Sequence, residues 1–287
     1  HNKNIFKGKI FDKKFEFDLK KSFSNVSFKF PSINFQTDLD FENLKNSLVS
    51  GNGKLKILNT NLKFDFLYKN KKLEILNSYF RNKDLSFNNK SLIIFDPYFS
   101  MVSNLNIEDI NLELFKRLDY KKIITSKNLI RKINSKNVIN FKSKKFSGDL
   151  IDEYYSTINL AYGRLDYQKS LKIADSFFKC LGSINLLDEL SLLSFDCALS
   201  SKDKRKFLKK FSVNYNNKEE IFDLNFKGHL SFINKKVNFK SITSNNYKAS
   251  KEDLLYFKYQ FENILFKEDF FDIFNLKKIK NFIIEIS

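Results

Sequence analysis

From Ile221 to Ile242 apolar and polar positions alternate. Leu224, Phe226, Leu230, Phe232, Val237 and Phe239 interleave with Asn225, Lys227, Ser231, Asn238 and Lys240. A period of two sends successive side chains to opposite faces of a strand, so this stretch predicts a pair of half-buried strands. The polar tip Ile233-Asn234-Lys235-Lys236 joins them as a hairpin, and Gly228 inside the first strand predicts a bulge or a close backbone approach. The layout returns at Phe6-Lys7-Gly8-Lys9-Ile10 with Phe15-Glu16-Phe17, and at Gly163-Arg164-Leu165-Asp166-Tyr167 with Ser170-Leu171-Lys172-Ile173. A weaker copy is Gly53-Lys54-Leu55-Lys56-Ile57 with Leu62-Lys63-Phe64-Asp65-Phe66. A true repeat and an antiparallel sheet with glycine at its strand starts both give this pattern; in either case the chain is mostly a meander.

Residues 1–105 read as a β-meander. Val26, Phe28 and Phe30 precede Pro31, which must sit at an edge or a bulge because it has no N–H to give to a ladder. Asn43 to Ser50 reads as a break and Gly51-Asn52-Gly53 as a turn. Four strands follow, at Lys54 to Leu58, Leu62 to Tyr68, Leu73 to Phe80 and Leu85 to Phe95, with Lys69-Asn70 and Arg81-Asn82-Lys83-Asp84 as tips; Asp96-Pro97 stops the sheet. Residues 106–137 change period: Ile107, Ile110, Leu112, Leu114, Phe115 and Leu118 predict a helix, with Glu108 and Asp109 near its positive end, and Ser126 to Ile133 a second.

Residues 138–249 continue the same sheet, with strands at Val138 to Phe146 and Ile158 to Tyr167, and a crossover near Leu186 to Leu190 between two more. A short basic helix near 201–211 begins with Ser200 and Asp203 in a capping-box arrangement. In residues 250–287, Ser250-Lys251-Glu252-Asp253 caps a longer helix with the stripe Leu254, Phe257, Phe261, Ile264 and Leu265, and Ile279 to Ile286 closes the chain as a strand. The fold class is mainly β with a few helices (α+β). Repeated antiparallel hairpins form a long curved sheet that can stay open, with helices packed on it or capping its end.

Composition adds that this chain folds. Its 287 residues are 42% hydrophobic, with 34 Phe, a single Met and no Trp, enough for one large or two ordinary cores. The net charge of +18 suggests phosphate-bearing partners. Most lysines, however, are the polar half of alternating strands. The dense run Lys202 to Lys210 reads first as a solvated helix face, so nucleic acid is the less favoured partner. No stretch reaches the ~20 apolar residues of a membrane-spanning helix. The chain opens at His1-Asn2-Lys3 rather than at Met, which predicts a portion of a longer protein with any anchor upstream.

Catalytic chemistry is thin. His1 and His229 are the only histidines, so no histidine-based metal or general-base site is expected, nor any cofactor, and the residues predict no enzyme. Glu219-Glu220 and Asp152-Glu153 are adjacent pairs that a strand would send to opposite faces. Gly51-Asn52-Gly53 is followed by no Gly-Lys-Ser/Thr, which leaves no phosphate loop. Cys180 and Cys197 both flank apolar runs. They fit a disulfide, which would close a loop worth about 3 kcal/mol in the chain-entropy model and require an exported chain, and equally a pair of buried thiols.

The hairpins Leu73-Glu74-Ile75-Leu76-Asn77-Ser78-Tyr79-Phe80-Arg81, Gly163-Arg164-Leu165, and Phe226-Lys227-Gly228-His229-Leu230 before Lys236-Val237-Asn238-Phe239 carry a resemblance. Across residues 5 to 287 the chain resembles the C-terminal region of the AsmA-like proteins of Gram-negative bacteria, relatives of TamB and of the bridge-like lipid-transfer proteins. The resemblance implies a periplasmic segment, anchored to the inner membrane through an N-terminal helix outside this sequence. It also implies a β-groove that holds or conducts phospholipid acyl chains for lipid transport or outer-membrane homeostasis. Candidates for the groove lining are Leu55, Ile57, Leu62, Phe64, Phe66, Leu73, Ile75, Leu165, Tyr167, Leu224, Phe226, Leu230, Phe232, Val237 and Phe239. In a closed sandwich the same residues would be the core of a non-catalytic structural or protein-interaction module of the cell envelope.

Overall fold

The structure, a computed structural model, describes residues 4–10, 13–20, 24–45, 48–57, 60–81, 85–110, 127–142, 151–211, 213–214, 220–245 and 247–266. The chain divides into two compact units, His1–Val138 and Ile139–Ser287. Both are built mainly of antiparallel hairpins, as the alternation predicts.

In the first unit the strands follow one another as β1 (Asn4–Ile10), β2 (Lys13–Lys20), β3 (Asn25–Phe30), β4 (Phe35–Lys45), β5 (Leu48–Ile57), β6 (Thr60–Lys69), β7 (Lys72–Arg81), β8 (Leu85–Ile94) and β9 (Ser100–Ile110). Each pairs antiparallel with the next. A short helix α1 (Lys127–Ile130) precedes β10 (Asn134–Lys142), which crosses the boundary between the units.

The second unit repeats the plan with β11 (Glu153–Ala161), β12 (Arg164–Ile173), β13 (Ser176–Asn185), β14 (Leu192–Ser201), β15 (Phe222–Ser231), β16 (Lys236–Ser244) and the two-residue β17 (Tyr247–Lys248). Here too each strand pairs antiparallel with its successor. Helix α2 (Lys204–Lys210) lies between β14 and β15, and helix α3 (Lys251–Phe266) follows β17.

Register gathers the apolar half of each strand. Phe6 stands opposite Phe17 and Phe17 opposite Phe28, so the aromatic positions fall in one row. Phe28 makes an edge-to-face contact with Phe30 at 4.8 Å between ring centres, a favoured aromatic geometry. Farther along, Leu55 faces Leu62, and Phe66 faces Ile75. Leu62, Phe64, Phe66 and Phe80 are buried, with Leu39, Phe41, Val49, Leu55, Leu73, Ile75, Leu85 and Phe87 half-buried around them. The tight connection after β6 uses Asn70 and Lys71, both at positive φ, the geometry that matches strand twist in a two-residue hairpin.

Several expectations are corrected. Gly51-Asn52-Gly53 is no turn but the middle of β5, with Gly51 opposite Phe41 and Phe66, and Gly53 opposite Leu39 and Phe64. A side chain on Gly53 would occupy the space of the Phe64 ring. The break expected over Asn43 to Ser50 shrinks accordingly, because β4 runs to Lys45 and β5 starts at Leu48. Pro31 lies in neither a strand edge nor a bulge; it opens a 3-10 turn, Pro31–Ile33, where its fixed φ is useful and its missing N–H is harmless. The helix expected from Ile107 is strand as far as Ile110. The β8 to β9 ladder uses Leu105 and Ile107 on its apolar face, and a bulge beside Phe87 then brings Ile110 opposite Leu85, which breaks strict alternation and imitates a helical spacing. The remainder of that helix, from 111, lies outside the described residues, as do the strand at 279–286 and the tip at 82–84.

In the second unit Ile158 to Tyr167 is not one strand. Tyr162 and Gly163, at φ of 50° and 91°, turn the chain between β11 and β12, and a tyrosine in a turn gives no polar punctuation to read. The companion hairpin read from Gly163 to Ile173 is accordingly a single strand, β12. The bulge expected at Gly228 is present, between Lys227 and Gly228 in the β15 to β16 ladder. Ser200 belongs to β14, and the N-cap of α2 is Asp203, whose carboxylate accepts from the backbone N–H groups of Arg205 at 3.0 Å and Lys206 at 3.4 Å. The α3 cap follows the expected box: Ser250 Oγ accepts from the Asp253 N–H at 3.2 Å, and the Asp253 carboxylate accepts from the Ser250 N–H at 2.7 Å.

Candidate functional site

The proposed lining residues fall in two sets, one in each unit. Leu55, Leu62, Phe64, Phe66, Leu73 and Ile75 share one face of the first unit by register, and Ile57 occupies the matching backbone position beside Thr60. The described hydrophobic residues packed around Leu62, Phe64, Phe66 and Phe80 all come from neighbouring strands, β4, β5, β7 and β8. Leu55, Leu73 and Ile75 accordingly remain half-buried where a sandwich core would enclose them. The face also carries a polar lane, in which Ser78, Ser91 and Ser103 are buried. Ser91 Oγ donates to Asn89 Oδ1 at 3.0 Å, and Ser103 Oγ to Asn137 Oδ1 at 2.7 Å.

In the second unit Leu165, Tyr167, Leu224, Phe226, Leu230, Val237 and Phe239 also fall on a common face. Part of this face is covered. From α2, Phe207, Leu208 and Phe211 pack beside Ile173 and Leu199. At the other side Leu265, Phe261 and Phe266 of α3 pack with Leu230, Val237, Phe232 and Phe239. Phe232 therefore belongs to the core under α3, beyond the end of its strand. Glu262 on α3 accepts the Val237 N–H at 2.9 Å, which fixes the helix to β16. Leu230 and Val237 thus lie buried under α3, as Leu62, Phe64 and Phe66 lie buried in the first unit.

The same face continues over Tyr154, Ser156 and Ile158 of β11, Leu165, Tyr167, Lys169 and Leu171 of β12, and Phe178 and Cys180 of β13. Cys180 is directly opposite Cys197 on β14, both are buried, and a disulfide joins them. Tyr167 lies over Gly182, where a side chain would collide with the Ser194 carbonyl. Through that gap the Tyr167 hydroxyl donates to the Ser194 carbonyl at 3.2 Å, and its oxygen is 3.9 Å from Cys180 Sγ. Burial pushes the phenol up to about 12.

Sequence reading missed Lys169. Its ammonium is 5.8 Å from the centre of the Tyr167 ring, and burial pushes its pKa down. The signal was parity: Leu165, Tyr167, Lys169 and Leu171 are alternate residues of one strand, so the lysine takes an apolar position.

Among the described residues no group of three or more His, Cys, Asp or Glu side chains could hold a metal, and no helix is long and apolar enough to cross a membrane. An open depression formed by Ala198, Ser200, Ile221, Asp223, Asn225 and Asn245 lies mainly on the opposite face and gathers no reactive side chains. No family model, curated protein or solved structure matches the chain.

Proposed function

We propose that the apolar faces hold lipid acyl chains, in a periplasmic segment of an AsmA-like envelope protein that takes part in lipid transport or outer-membrane homeostasis. The observation that carries this reading is the row of half-buried Leu55, Leu73 and Ile75 on a face whose described apolar neighbours all come from strands of the same sheet. An acyl chain laid along such a face gains about 0.8 kcal/mol for each buried CH₂. The Cys180 to Cys197 disulfide supports the exported location, because such bonds persist in oxidising compartments.

The test is to express the chain in a periplasm, purify it gently and identify bound lipid by native mass spectrometry with a thiol count on the same sample. Stoichiometric phospholipid with no free thiol is expected. A lipid-free protein rejects the reading.

A second reading, a protein-interaction module of the envelope, draws on the opposite face of the second unit, where Tyr155, Phe177, Leu181 and Leu192 are 43 to 55% exposed. Recovery of one stoichiometric envelope protein by a lipid-free chain would favour it.

A further inference from the structure

Lys169 is out of keeping with its surroundings. On β12 it stands between Tyr167 and Leu171, and its cross-strand neighbours on the same face are Ser156 of β11 and Cys180 of β13. None of these can neutralise an ammonium, and among the described residues Lys169 makes no ion pair. The Asp152 carboxylate lies beside the end of β12 and is engaged there, by Lys210 at 3.2 Å and by the Ala174 N–H. A cation set among apolar side chains without an acidic partner costs stability, and leucine or isoleucine would pack the position at no such cost. Tyr167 offers only its ring face, a weak compensation.

Resting on the reading of this face as a lipid site, we propose that Lys169 selects the lipid: its ammonium pairs with the phosphodiester of an anionic phospholipid whose acyl chains lie over Tyr167, Leu171 and Phe178. The charge supplies the complement that the apolar floor lacks. A charge-assisted hydrogen bond to phosphate, formed away from bulk water, is among the stronger polar contacts open to a side chain. A zwitterionic headgroup brings its own cation close to Lys169 and loses part of that attraction, so the expected consequence is preference by headgroup rather than by chain. The burial-lowered pKa is consistent with an ammonium that awaits an anion.

The experiment offers the full chain, disulfide intact, vesicles of equal parts phosphatidylglycerol and phosphatidylcholine, then counts the lipids retained by mass spectrometry. The wild-type chain is expected to retain phosphatidylglycerol roughly tenfold over phosphatidylcholine. In Lys169→Met the ratio falls towards one while total bound lipid stays near the wild-type amount; Lys169→Arg keeps the preference. An unchanged ratio in folded Lys169→Met, or no preference in the wild type, overturns the role of Lys169 and leaves the lipid reading standing. Retention of neither lipid by the wild type overturns both. Should Lys169→Met not fold, folded Lys169→Arg decides alone, since loss of preference with the charge kept would refute the pairing.

Discussion

Tyr167 donates its hydroxyl hydrogen bond to Ser194, two strands away in the sheet, across the one intervening position that carries no side chain. The β13 to β14 ladder runs from Ser176 opposite Ser201 to Leu181 opposite Asp196, and beyond it the Ser194 hydroxyl takes over, accepting from the Ser183 N–H at 2.9 Å and donating to the Ser183 carbonyl at 3.1 Å. Tyr167 and Ser194 together satisfy backbone groups that the ladder leaves at this point.

Gly182→Ala tests the gap. A methyl group there meets the Ser194 carbonyl, which is backbone and cannot rotate aside, and it also crowds the Tyr167 hydroxyl. A loss of about 2 kcal/mol in urea unfolding is expected, the scale of overpacking in a well-filled site. An unchanged midpoint would mean that β14 shifts freely.

The phenol and the ammonium respond to alkali in opposite directions. Tyr167 has a folded pKa of about 12 against an ordinary 10.0, so its contribution is whole below pH 10 and is lost between pH 10 and about 12, as the unfolded chain ionises first. Lys169 has a folded pKa below the ordinary 10.5. The unfolded chain therefore holds its proton more firmly, and stability from this residue rises as pH climbs through the folded value towards 10.5. Among the described residues the positions facing this pair on β11 and β13 carry no carboxylate: they are Ser156, Ile158, Cys180 and Gly182. Lys169→Met is thus expected to raise the thermal midpoint at pH 7, with the gain shrinking towards pH 10.5, and Tyr167→Phe to flatten the loss above pH 10. Midpoints of the three proteins between pH 7 and 11.5 measure both slopes.

Reduction of the disulfide tests the sheet of the second unit. Cys180 and Cys197 are 17 residues apart in sequence. Opening a loop of that size frees the unfolded chain and is expected to cost about 3 kcal/mol, read as the difference in urea unfolding with and without reductant. A Cys180→Ser, Cys197→Ser double variant checks that the reductant acts through this bond.

Helix α3 depends on its aromatic anchor and its cap. Phe261 touches Phe239 at 5.1 Å between ring centres and faces Phe226 at 6.5 Å. Phe261→Ala is expected to cost about 3 kcal/mol, the lower end for removing a large aromatic from a packed site. At the cap, the Tyr247 hydroxyl hydrogen bond, followed by those from the Ser250 side chain and backbone, holds the Asp253 carboxyl below its usual range. Stability from this cap is present above the ordinary carboxylate pKa and falls away as acid protonates Asp253, an effect that Asp253→Asn should remove from an acid-unfolding curve.

The strand alternation was legible because one face of each sheet is apolar, and period two records that directly. So was the α3 box, whose Ser250 and Asp253 act through local spacing alone. What escaped were positions whose meaning depends on a partner strand. Gly51 and Gly53 look like turn residues until β4 and β6 are in place, with the Asp40 backbone carbonyl against Gly51 and the Phe64 ring over Gly53. Tyr162-Gly163 passes for strand because a tyrosine gives no turn signal. Lys169 passes for the solvent half of a strand unless Leu165, Tyr167 and Leu171 are first assigned a parity.

The pairing of each strand with its immediate successor has a consequence for how such a chain changes length. Each hairpin closes a small loop, so the pairing within it costs little chain entropy. Two strands can be inserted or deleted together without disturbing the inward and outward parity of those that remain, whereas a single strand reverses the direction of all that follow it. Growth by pairs leaves every older register intact. The number of hairpins is therefore a quantity that selection can adjust independently of the chemistry of the face they share.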